Sequence, residues 1–304
     1  MLANFFGKSN PANFIIILVL FLGFFFASFF IDHLETKSPQ WIASVIGLFL
    51  LLFFFFNFIL AKNKLTLYNS YGFLFFVLLF STFPFTQFDR EALILNIVLL
   101  ILLRRIYSLR TPKATIKKMF DSGFWLSILF VLEPFTMVYG VLLFASILLF
   151  QKLNFRTFLI PIVGFLAPLL IYFAYCFWYD DTDKFLNLFS WYTDYNFGFY
   201  QSNHVLIPLI FIGSMTVISI LFKTPKVFMV SGNYRKFWTL TIINLLVAVG
   251  LIIITNNRTG NELIYAFFPT AVILANGIEG VSKKIFQNLI LILFVLIPIL
   301  VLII

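Results

Sequence analysis

The run FIIILVLFLGFFFASFFI, residues 14–31, carries no charge over 18 residues. As a helix it rises about 27 Å, close to the roughly 30 Å hydrocarbon core of a bilayer. Comparable apolar runs follow at about 40–61, 70–86, 92–103, 120–133, 135–150, 157–179, 204–222, 237–254, 263–281 and 285–304. With 62% hydrophobic and 11% charged residues and a mean hydropathy of +1.04, a 304-residue chain has more apolar surface than a soluble domain could bury. The expected architecture is all-α: a polytopic transmembrane helical bundle of about 11 hydrophobic segments, forming a single integral membrane domain over residues 1–304. The 45 Phe set against 14 Gly predict bulky, lipid-facing helices rather than small-residue seams. The opening MLANFFGKSNPANF has no basic leader region and no small-residue cleavage motif, so the first run reads as a retained span. Cys176 is the only cysteine, which excludes an intrachain disulfide.

Lys and Arg collect on the cytoplasmic side of a membrane protein. With 11 spans and the N-terminus inside, 17 of the 21 basic residues fall in inner loops, and only Lys37, Arg90, Lys184 and Arg258 fall outside. Ten of the twelve acids fall outside, all but Asp121 and Glu279. This places the N-terminus in the cytoplasm and the C-terminus outside. The net charge of +9 is then a footprint of orientation rather than of nucleic-acid binding, and no nucleic-acid partner is expected.

Three runs look short. At 1.5 Å per residue, residues 92–103, 120–133 and 135–150 rise only about 18, 21 and 24 Å. If the first two start from the basic cluster RRIYSLRTPKATIKK, their far ends stop about 10 Å short of the outer surface. Glu133 and Pro134 then form the apex of a short helical hairpin (residues 120–150), and Asp89, Arg90 and Glu91 mark a similarly recessed turn. Irregular backbone at such depth needs protein or a water-filled cavity around it, so the sequence predicts an outward-open cavity floored by these four residues. Glu133 and Asp89 are the candidate catalytic acids. Arg90, Glu91 and Glu262 are the candidate substrate-binding residues, with Arg90 the counter-charge for a buried acid. The alternative is an ordinary solvated loop at 89–91 and an interfacial Glu133.

Other polar features carry less. Asp32, His33 and Glu35 lie in a loop of about eight residues between the first two spans. His33 and His204 are the only histidines, and no metal or cofactor is expected. The stretch YDDTDKFLNLFSWYTDYNFGFY, residues 179–200, reads as an interfacial lid or buttress, because Trp and Tyr favour the headgroup level. TGNE, residues 259–262, fits a capping box in which Glu262 serves the helix rather than a ligand. NRT at Asn257 matches a glycosylation sequon, which matters only in a eukaryotic secretory pathway. There is no P-loop, no dinucleotide fingerprint and no zinc spacing.

The segments MLANFFGKSNPANFI, RRIYSLRTPKATIKKMFDSGFW and GNELIYAFFPTAVILANGIE resemble, over the full length, an uncharacterised family of bacterial polytopic inner-membrane proteins defined only as a domain of unknown function. Members are sometimes labelled beta-carotene monooxygenases. Iron-binding carotenoid oxygenases use four His ligands, whereas this chain has two His. Short basic-anchored helices with outward acids are also similar to membrane-embedded polyprenyl-phosphate-dependent glycosyltransferases. Those enzymes place long juxtamembrane helices after the first span, where this chain has a loop of about eight residues. The resemblance implies membrane lipids, and a lipid-linked or amphipathic substrate, as partners in envelope glycan or lipid metabolism. Transport or a structural role is the other reading, and the internal repeats that transport predicts are not evident.

Overall fold

The computed structural model describes residues 2–31, 37–151, 154–193, 195–229, 232–256 and 258–303. Asp32, His33, Glu35 and Asn257 lie outside the described residues. The helices are α1 (Leu2–Phe6), α2 (Pro11–Ile31), α3 (Pro39–Asn63), α4 (Tyr71–Thr82), α5 (Phe85–Phe88), α6 (Arg90–Ser108), α7 (Thr115–Leu132), α8 (Tyr139–Phe150), α9 (Phe155–Trp178), α10 (Thr182–Asn187), α11 (Asn203–Phe228), α12 (Gly232–Ile254), α13 (Ile264–Glu279) and α14 (Lys284–Ile303). Each of the eleven apolar runs corresponds to one of them. Among the described residues seven helical stretches are long and apolar enough to cross a membrane, so this is a membrane protein, and its exposed apolar side chains suit contact with lipid.

Two expected lengths are corrected. α6 has 19 residues and α7 has 18, so they rise about 28 and 27 Å rather than about 18 and 21 Å. Both helices continue through polar flanks, Arg90–Glu91 and Arg104–Ser108 in α6 and Thr115–Met119 in α7, because the backbone ladder does not depend on apolar side chains. The short apolar helices are α4 and α8, with 12 residues each.

By contacts the chain divides into two compact units, one of Met1–Leu93, Asn196–Ser231 and Arg258–Ile304, the other of Ile94–Tyr195 and Gly232–Asn257. In the first unit α4 is enclosed by α2, α3, α13 and α14, and all twelve of its residues are buried. Phe76 of α4 stacks on Phe56 at 3.9 Å, Phe80 meets Phe267 edge-on at 4.8 Å, and Phe21 packs on Phe49 at 4.5 Å. The phenylalanines thus supply the core of this unit as well as its lipid-facing surface, a correction to the expected division of labour. Such pairs add about 0.5–1.5 kcal/mol each beyond area burial.

The second unit contains the small-residue seam that the composition argued against. α7 packs on α9 with Gly123 against the Pro161 carbonyl and Gly164 against the Phe120 carbonyl. Each glycine lies on the other helix's backbone, and no side chain larger than hydrogen fits there. α8 packs on α12. The aromatic stretch after α9 acts as a buttress: Leu188 packs with Phe130 and Leu169, and Phe189 lies 5.7 Å from Phe130. Trp178 and Tyr192 remain 82% and 75% exposed, suited to a membrane interface.

Within each unit, loops that the charge partition assigns to one face meet at one end. In the first unit, the Leu67 N–H and the Asn69 side chain donate to Glu279 at 3.0 and 2.6 Å, and Lys284 Nζ donates to Asn4 Oδ1 at 2.6 Å. In the second, Gln151 Nε2 donates to the Leu109 carbonyl at 2.8 Å. The two acids placed among the basic loops are both paired, Asp121 with Arg105 at 3.3 Å and Glu279 with Lys223 at 4.0 Å.

Candidate functional site

Three connecting segments of the first unit meet at its acid-rich end: 83–91, 196–202 and 258–263. Gly260 lets them close. Its φ of +87° favours glycine, and a Cβ there would strike the rings of Phe85 and Phe199, which meet edge-on at 5.2 Å. Gly260 is also the N-cap of the 3-10 turn Asn261–Leu263 that leads into α13, with no side-chain cap bond. The capping box expected from Thr259 and Glu262 therefore does not form.

Asp89 sits at the N-terminus of α6. Its Oδ1 accepts the backbone N–H groups of Glu91 and Ala92 at 2.9 and 3.2 Å, and its Oδ2 accepts Asn261 Nδ2 at 2.5 Å. This is an N-cap, with a second bond that ties it to the turn before α13. Arg90 and Glu91 are exposed, and no ion pair joins Arg90 to an acid among the described residues. Glu262, by contrast, is only 5% exposed, and it accepts the Tyr200 hydroxyl at 2.5 Å. Burial, and then the Glu262 carboxylate, push the Tyr200 hydroxyl well above the usual phenol range, while Arg258 works in the opposite sense. The Arg258 guanidinium lies 3.7 Å over the Phe197 ring. Two side-chain carbonyl oxygens on these segments, Gln87 Oε1 and Asn261 Oδ1, are buried and accept no hydrogen bond.

The structure thus brings Asp89 and Glu262 onto neighbouring turns through Asn261. Glu133 belongs to the second unit. It ends α7 half-buried, and its carbonyl accepts the Thr136 N–H at 3.0 Å and the Thr136 hydroxyl at 2.6 Å, which starts the 3-10 turn Pro134–Val138 that leads into α8. The helix, turn, helix form expected around Glu133–Pro134 is present. Tyr200 and Asn261 escaped the sequence reading, because each is an ordinary loop residue until the fold sets it beside an acid. Among the described residues no three His, Cys, Asp or Glu side chains cluster as metal ligands would.

Fold and site define a multi-pass α-helical membrane protein with a polar loop cluster at one end of its first unit. The chain belongs to the family of unknown function designated DUF6427, whose sequence profile covers residues 1–304. No curated protein and no solved structure matches it.

Proposed function

We propose that this is a protein of the bacterial cytoplasmic membrane, N-terminus inside and C-terminus outside, that takes a lipid-linked or other amphipathic substrate from the outer leaflet at the Tyr200–Glu262 cluster. The observation that carries this reading is a buried Glu262 carboxylate held by one phenol, beside two buried side-chain oxygens that lack donors. A buried acceptor left unpaired costs about 1–3 kcal/mol, and the hydroxyls of a glycan headgroup are donors that offset it. Glu262 is the general base in this reading, with Tyr200 setting its orientation. Exposed Arg90 meets a phosphate by charge-assisted hydrogen bonds. Asp89, whose oxygens are committed to α6 and Asn261, positions rather than reacts. Glu133 remains a second candidate acid, in its own unit. The pairing of Asp121 and Glu279 with basic residues supports the inside assignment of those loops.

The test is lipid extraction and mass spectrometry of the purified full-length chain. Wild type should retain an amphipathic species that Glu262→Gln and Tyr200→Phe lose; Glu262→Gln should do so at little change in thermal stability, since glutamine still accepts the Tyr200 hydroxyl. The same lipid content in all three proteins would refute a ligand role and leave the pair to the fold.

A further inference from the structure

At the opposite, basic end of the first unit a cleft of about 490 Å³ opens between α11, α13 and α14. That volume lies within the roughly 300–1,000 Å³ of small-molecule sites. Its chemistry is graded along its length. At the mouth are Lys223 and Lys226 in the last turns of α11, with Ser282 in the turn before α14. Deeper in, the walls are apolar, among them Phe75, Met215, Ile290 and Phe294. From Lys226 to Met215 is three turns of helix, about 16 Å along the axis. α13 closes on α11 where Gly277 lies against Ser219, a contact that leaves no room for a Cβ.

Lys226 Nζ donates to the Gly280 carbonyl at 3.0 Å, which fixes the ammonium at the mouth with two of its three donors still to spend. Lys223 stands 4.0 Å from Glu279, whose other oxygen is occupied by the Leu67 N–H and the Asn69 side chain. Glu279 therefore offsets one of the two positive charges, and the mouth keeps the other. Lys283 and Lys284 come next in the chain. A slot that is long and apolar at depth, and cationic and hydroxyl-lined at the end, matches one molecule in outline: a phosphate on a glycerol with an acyl chain behind it.

We propose that this cleft binds an anionic glycerophospholipid from the leaflet at the basic end, with its phosphate on Lys226 and Lys223 and one acyl chain along α11. Basic pockets between membrane helices hold anionic headgroups in this way. The inference stands on the charge and shape of this end alone and is independent of the reading of the Tyr200–Glu262 cluster.

Native mass spectrometry of the full chain in neutral detergent, titrated with phosphatidylglycerol or phosphatidylcholine, tests it. Phosphatidylglycerol should bind several-fold tighter than phosphatidylcholine. Lys226→Gln should lose about fivefold of that affinity, the equivalent of about 1 kcal/mol, while Lys62→Gln, at an exposed lysine outside the cleft, should lose none. Ile290→Trp, which fills the apolar depth, should weaken both lipids. Equal binding of the two lipids, or equal losses from Lys226→Gln and Lys62→Gln, would overturn the proposal. So would full competition by glycerol phosphate, because the site would then hold a free phosphate and not a lipid. The Lys226 variant changes an exposed side chain and keeps the test decisive if Ile290→Trp fails to fold.

Discussion

Replacing Gly123 by alanine places one methyl group between two helix backbones. The new Cβ would lie 2.8 Å from the Pro161 carbonyl carbon, 3.0 Å from the Phe165 nitrogen and closer still to the Pro161 oxygen. These are all backbone atoms, so no rotamer change relieves the overlap; α7 and α9 must part. A gap of about 0.5–1 Å forfeits a quarter to a half of each contact's dispersion well along the seam, and overpacking of this kind costs about 1–3 kcal/mol. Alanine's better helix propensity returns at most about 1 kcal/mol, and less in a bilayer, where a detached helix stays helical. The expected net loss is about 1–2 kcal/mol, which lowers Tm by roughly 2–4 °C per kcal/mol in a protein of this size. Thermal unfolding of the purified protein in detergent, followed by size-exclusion retention, reads it. Gly250→Ala is the matched control: it lies in α12 of the same unit with nothing within 4 Å of an added Cβ, and should be neutral or stabilising. Gly123→Ala/Gly164→Ala should lose less than the sum of the single variants, since both open the same seam. A Gly123→Ala protein as stable as Gly250→Ala would refute the backbone contact.

Gly260→Ala forces a side chain into left-handed backbone, at roughly 1–2 kcal/mol, and against the rings of Phe85 and Phe199, so Tm should fall clearly; an unchanged Tm would mean those rings do not close on the turn. Asp89→Ala should cost about 1–3 kcal/mol in thermal unfolding, through the lost α6 cap and the stranded Asn261 amide, whereas Arg90→Ala at an exposed position should stay within about 0.5 kcal/mol. Equal effects of the two would contradict the geometry, and a large loss at Arg90 alone would restore the ion pair expected from the sequence. Reporter fusions after Lys64, Lys118 and Lys284 should report cytoplasm and one after Arg258 the outside; an external reporter at Lys118 would overturn the proposed orientation.

The eleven apolar runs were legible because hydropathy registers a helix that avoids water, whatever else covers it. For the same reason it could not separate α2, which presents Ile15 and Val19 at 63% exposure, from α4, which presents nothing. Helix ends were misread wherever a helix ran on into charge: Arg90, Glu91, Arg104 and Arg105 all belong to α6. The recessed depth inferred for Asp89 and Glu133 rested on those shortened lengths, whereas α6 and α7, at 19 and 18 residues, rise about 28 and 27 Å. Of the candidate residues, Glu262 was legible as an acid on the acid-rich side, but its partner Tyr200 is 62 positions away in sequence and carries no local signal. Gly123 and Gly164 were invisible in a composition poor in glycine, since a seam needs the right two glycines and not many.

α4 also bears on how the chain is made. Twelve residues, about 18 Å of helix, are too few to hold a place across a bilayer unaided. Its neighbours α2 and α3 leave the ribosome before it, but α13 and α14, which close its other sides, are synthesised about 190 residues later. At roughly 5–20 residues per second, α4 waits some ten to forty seconds before Phe267 and Phe294 come to rest against Phe80 and Phe75. A nascent chain stopped before α13 would keep those phenyl faces open, which makes the C-terminal helices the step at which the first unit becomes complete.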